Sequence, residues 1–182
     1  MAKSETLQAL LLNLEADGML MRIDESLWAE KYRCATVNRE ELALLRSVKN
    51  VVRAGRVVSI EEGQVLLEKG SFNVPKQTLF VDCTANGLSN RPIVPVFSAQ
   101  KITLQSVSMC QQVYSASLIA HVETAFSDLG MQNKLCRVTP HPETIDDYLY
   151  AVGIGAMNNA SWGKHFPKWV RNARLSFRSH IP

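Results

Sequence analysis

Leu7, Leu10, Leu11 and Leu14 recur at the spacing of one helical face, with Ser4 ahead of them as a cap and Gly18 behind them as a left-handed stop. This predicts a first helix, and the apolar "MLMRI" after it predicts a short strand. Asn38 followed by Glu41 has the form of a capping box, and Leu42, Leu44, Leu45 and Val48 predict a second helix through "REELALLRSV". From Val51 the period shortens to that of strands. Val58 and Ile60 alternate with Ser59, and Val65 and Leu67 flank Leu66 beyond the turn "EEG", which predicts a hairpin or meander with a polar outer face.

Further on, "TLFVDCTANG" at residues 78–87 is an apolar run that ends in an acid and a small-residue turn. Leu79 to Val81 is apolar on both faces, as expected of an interior strand with layers packed on each side. Gly87, Pro92 and Pro95 punctuate an irregular stretch, and "KITLQSV" is a further strand candidate. The remainder reads as helical. Leu118, Val122, Ala125, Phe126 and Leu129 form one stripe on a helix that should end near Gly130. Pro142 is placed to open another helix through "ETIDDYLYAVGIGAMNNA", and "PKWVRNARLSF" would turn Trp169, Val170, Ala173 and Leu175 toward the core or a partner.

With 46% apolar and 20% charged residues among 182, the chain has a soluble globular balance and enough length for a sizeable core. A net charge of +3 is too small to call for nucleic acid or a membrane surface without a concentrated patch. The leucine-rich start is interrupted by Gln8, Asn13 and Glu15, so it is too short to span a bilayer, and a cytoplasmic protein is expected. The four cysteines, Cys34, Cys83, Cys110 and Cys136, show no metal-ligand spacing and are expected as reduced, mostly buried thiols.

In open sheets, ligands gather beyond the carboxyl ends of strands, where unpaired backbone N–H groups and small residues admit a cofactor closely. "VDCTANG" fits that position, with Thr84 offering a hydroxyl and Ala85 and Gly87 keeping the turn thin. The order "MRIDESLW", "YRCATVNREELALLR", "VVRAGRVVSIE", "TLFVDCTANG", "RPIVPVF", "KITLQSV" and "YSASLIAHVETAF" resembles the carboxyl-terminal portion of a family of bacterial FAD/NAD(P)-binding oxidoreductase-like proteins, from about Leu14 to about Trp162. Related flavin monooxygenase-like and disulfide-reductase-like flavoproteins share this arrangement: a meander precedes a strand that returns to a Rossmann sheet and ends in a small-residue turn.

The resemblance implies an α/β or α+β fold, with a partial Rossmann-like sheet and meander in residues 1–112 and a helical region in residues 113–182. It implies FAD and NAD(P) as cofactors, Thr84, Ala85 and Gly87 near the FAD, and hydride transfer between nicotinamide and flavin. The family's GxGxxG unit has no counterpart here. "GIG", at Gly153 and Gly155, sits in a helical pattern and is better explained by helix packing. Tight FAD binding is therefore expected only with a Rossmann segment from outside this chain. The alternative is a non-enzymatic assembly module, whose partner is a second copy or that missing segment.

No catalytic residue is assigned. His121, His141 and His165 form no metal-binding helix pair, and neither Cys83 nor Cys110 has a base adjacent in sequence. The run "WGKHFPKWVRNARLSFRSH" interleaves aromatic and basic residues in a pattern compatible with nucleic acid, but it is better read as a helix docked by its aromatics with a solvated basic face.

Overall fold

Nine elements form among residues 6–33, 37–84 and 91–175, the parts of the chain that the computed structural model describes. The chain divides into two compact units, one of Met1–Ser26 with Val37–Gly87 and one of Leu27–Thr36 with Leu88–Pro182. The expected division between residues 112 and 113 falls inside the second unit.

In the first unit, α1 (Leu7–Ala16) begins at Thr6, whose hydroxyl accepts the Ala9 N–H at 3.1 Å. The cap expected at Ser4 lies outside the described residues. Gly18 ends the helix at φ +80°, the left-handed conformation that glycine adopts without a Cβ clash. No strand follows. The Glu15 carboxylate accepts from both the backbone and the guanidinium of Arg22, at 3.0 and 2.8 Å, so side-chain bonds hold "MLMRI" where a ladder was expected. The capping box is present: Asn38 and Glu41 exchange hydrogen bonds of 2.7 and 2.8 Å at the start of α2 (Arg39–Ser47). Of its expected apolar stripe, Leu42 is buried and Leu44 is exposed.

The meander forms as an antiparallel sheet of β1 (Val57–Glu61), β2 (Gln64–Leu67) and β3 (Gly70–Asn73), in that order. Gly63 turns β1 into β2 at φ +81°. Gly55, at φ +84°, also has no room for a side chain, because a Cβ there would lie 2.6 Å from Glu68 Oε2. The expected polar outer face is not what forms. Val65 is buried, but Val57, Val58 and Ile60 of β1 are all exposed. Leu79 to Val81 correct the sequence reading more sharply: the segment is irregular, pairs with no strand and leaves its side chains in solvent.

The second unit is helical around a single apolar cluster. Its helices are α3 (Gln112–Ala125), α4 (Leu129–Leu135), α5 (Ile145–His165) and α6 (Pro167–Asn172). The stripe expected to run unbroken to Gly130 is cut at Ala125, because Asp128 accepts the Met131 N–H at 2.7 Å and caps a new helix. Tyr114, Leu118, Ile119 and Val122 of α3 meet Leu135, Trp162 and Phe166 in the core. The Trp162 indole N–H donates to the Leu135 carbonyl at 2.7 Å, so its one polar atom is satisfied inside.

"KITLQSV" forms only an isolated bridge between Phe97 and Ile102. Amide side chains take the place of a neighbouring strand. Asn133 both donates to and accepts from the Phe97 backbone, at 2.9 and 3.0 Å, and Gln105 does the same for Val94. Before α5, Thr144 is the cap and pairs reciprocally with Asp147, so Pro142 precedes the helix and does not open it. Gly153 and Gly155 lie within α5, but a Cβ at either would meet nothing within 4 Å, so close helix packing does not account for them.

The molecule is thus an α+β protein whose sheet among the described residues is this three-stranded antiparallel meander. Among the described residues, no helix is long and apolar enough to cross a membrane.

Candidate functional site

Asp82, Cys83 and Thr84 close a local turn at the end of the exposed apolar segment. The Asp82 carboxylate accepts the Thr84 hydroxyl and, at 2.8 Å, the Thr84 N–H. These bonds, the hydroxyl's first, hold the Asp82 carboxyl below its usual range. Both the N–H and the hydroxyl of Thr84, the group expected to face a cofactor, are donated to Asp82 in this turn. Ala85 and Gly87 lie outside the described residues. The preceding side chains are 86% exposed at Leu79, 43% at Phe80 and 72% at Val81, so the anticipated inner strand is an apolar surface in this chain.

A separate cleft of about 190 Å³ opens in the second unit, with Arg91, Ser106, Gln112, Thr139 and His141 among its lining residues. Its floor is already hydrogen-bonded: Gln112 donates to the Ser106 hydroxyl at 2.7 Å, and the Thr139 hydroxyl donates to the Ser106 carbonyl at 3.1 Å. His141 Nδ1 stands 4.0 Å from Cys110 Sγ, and Cys110 is disulfide-bonded. This corrects the expectation of reduced thiols throughout. Cys136 fits that expectation, since it is a buried free thiol whose pKa burial pushes up to about 12, whereas Cys83 is a free thiol exposed to solvent.

Two further histidines among the described residues, His121 and His165, are packed against aromatic rings. His121 stacks on Trp169 with ring centres 4.7 Å apart and meets Phe166 edge-on at 5.0 Å, and burial holds its imidazole below the usual range. His165 lies edge-on to Phe126 at 6.1 Å. Sequence spacing had no way to show the first pair, because the partners are on α3 and α6. Among the described residues, no cluster of three or more His, Cys, Asp or Glu side chains could hold a metal ion. In the carboxyl-terminal run, Trp162 and Phe166 are buried and Trp169 packs on the core, while Lys164, Lys168, Arg171 and Arg174 are exposed. That is the docked amphipathic arrangement expected of a helix held by its aromatics.

No family model matches the chain, and no solved structure matches it significantly. It is similar to proteins of Mycobacterium bovis and Mycobacterium tuberculosis that are described as uncharacterized, with 42% identity over 170 residues in each case. The match takes in 92% of this chain and 32% of theirs, so the chain spans about a third of the length of the curated relatives it matches.

Proposed function

We propose that this chain is the meander-bearing and helical portion of a larger, cytoplasmic FAD/NAD(P)-dependent oxidoreductase-like protein. The missing part would be a Rossmann-like sheet with its phosphate loop, supplied by a segment outside this sequence. The observation that carries the reading is the solvent-facing segment Leu79–Val81, whose apolar residues call for a neighbour that the described chain does not provide. The exposed Val57, Val58 and Ile60 of β1 in the same unit, and relatives about three times as long, support it.

In the chain alone, Asp82 accepts both protons of Thr84. In the completed protein, Thr84, Ala85 and Gly87 would form the turn beside the flavin. The cofactor would supply the hydride chemistry, and this chain would supply position and exclusion of water.

The test compares the purified chain with a form joined to the remainder of the longer relatives, each desalted after incubation with FAD. The expected result is a colourless short chain and a long form that retains visible flavin absorbance. A colourless long form with no FAD-induced rise in Tm would overturn the reading. If that long form were nevertheless stably joined through the Leu79–Val81 surface, the non-enzymatic assembly module would take its place.

A further inference from the structure

The aromatic and basic residues of the last helix line a cavity that neither the flavoprotein reading nor the cleft beside His141 uses. It has a volume of about 390 Å³ and lies wholly within the second unit, with Tyr114 and Ser117 of α3 on one side and Lys168, Trp169 and Asn172 of α6, followed by Arg174, on the other. That volume falls within the roughly 300–1,000 Å³ of sites for small organic ligands.

Two rings form its walls, Tyr114 and Trp169, with centres 5.9 Å apart and planes inclined at 37°. His121 stacks within 9° of parallel on Trp169 and presses edge-on against Phe166, so the indole is held in place from behind. A wall fixed in this way presents a flat apolar face at little conformational cost on binding. Burial keeps the His121 ring in its neutral form, so the backing of the indole adds no charge of its own.

The electrostatics are one-sided. Lys168 and Arg174 are exposed at the cavity, and no carboxylate is among its described lining residues. Neither cation forms an ion pair with a described residue. An anion held between them would exchange water for charge-assisted hydrogen bonds, with the Ser117 hydroxyl and the Asn172 amide at the same opening to complete its coordination. A neutral ligand would leave both charges unanswered. A small inorganic anion would leave the open part of the Trp169 indole uncovered.

We propose that this cavity binds a small planar aromatic molecule carrying a carboxylate, sulfonate or phosphate, with its ring against the half-buried Trp169, beside the buried edge of Tyr114, and its anionic group on Lys168 and Arg174. The site is independent of flavin binding, and all of its described lining residues lie in the second unit.

The test is a titration of the full chain with naphthalene-2-sulfonate and with adenosine monophosphate, followed through the Trp169 indole N–H resonance and assigned with Trp169→Phe. Naphthalene-2-methanol serves as the neutral ring, and inorganic phosphate as the ring-free anion. At least one aromatic anion should bind about tenfold more tightly than both controls, and Lys168→Ala and Arg174→Ala should each weaken it about three- to tenfold, as expected for loss of one charge-assisted contact. Both substituted residues are on the surface, so the fold should survive, and the unchanged core resonances of Trp162 would confirm that. The proposal is overturned if neither aromatic anion shifts Trp169, if the neutral ring binds equally well, or if binding is indifferent to both substitutions. The flavin test reads colour and Tm in the long form, so either reading can fail without the other.

Discussion

Cys83, Cys110 and Cys136 show how much a residue's chemistry depends on where the chain takes it. The same thiol is exposed at 83, disulfide-bonded at 110, and buried with its pKa pushed up to about 12 at 136. A thiol-specific reagent at neutral pH should therefore label Cys83 in the native protein, Cys136 only after unfolding and Cys110 only after reduction. Peptide mapping reads each site. His121 makes a second point at this scale. In the unfolded chain its imidazole takes a proton near the ordinary pH of about 6.5, whereas between Trp169 and Phe166 it stays neutral to lower pH. The unfolded state thus binds more protons in that window, so stability is complete above it and declines as pH falls through it. Urea midpoints should drop between about pH 7 and about pH 5.5 in the wild type and stay flatter in His121→Phe, which keeps a ring and removes the titration. The carboxyls of Asp82 and Asp147 are held low by their hydrogen bonds to Thr84 and to Thr144, and they lose their contribution only in the acid range below about pH 4.5.

Among the elements, α2 was the helix whose start local pattern located best. Asn38 and Glu41 begin α2 where the spacing placed it, because a capping box is satisfied within a single turn. The same economy makes α5 testable at both its start and its interior. Thr144→Ala removes the acceptor for the Asp147 N–H and should cost about 1 kcal/mol in thermal or urea unfolding. Gly153→Ala should act in the opposite sense, stabilising by about 0.5–1 kcal/mol, since a Cβ there meets nothing within 4 Å and the helix loses a flexible residue from its unfolded state. The failures were strands. "MLMRI" and "KITLQSV" have suitable apolar content, but the Glu15 carboxylate takes the Arg22 N–H, and the segment facing "KITLQSV" has its Val94 and Phe97 backbone bonded by the side chains of Gln105 and Asn133, so only the Phe97–Ile102 bridge forms. A polar side chain that substitutes for a strand leaves no periodic trace, so local pattern has nothing to register.

For the molecule as a whole, the contrast lies between a helical unit with a closed aromatic and aliphatic core and a unit that leaves β1 and Leu79–Val81 in solvent. A replacement at an exposed apolar side chain changes the stability of the chain that bears it very little. The double variant Leu79→Ser with Val81→Ser should move the unfolding free energy of this chain by less than about 0.5 kcal/mol. In the longer form, the same pair should lower Tm by several degrees if the remainder of the protein covers them, and differential scanning calorimetry on both forms distinguishes the two cases. The candidate turn was read from the same decapeptide, and Asp82, two residues before Thr84, accepts its hydroxyl there. By itself, the order of residues determined the meander, the capping box of α2, the left-handed stop at Gly18 and the docking of the carboxyl-terminal aromatics, because each depends on neighbours within a turn or on the period of one face. Only the tertiary structure decided that 79–81 stays outside, that His121 backs Trp169, that Cys110 is bonded and that amides finish the backbone of 94 and 97, because those outcomes depend on which distant side chains arrive there.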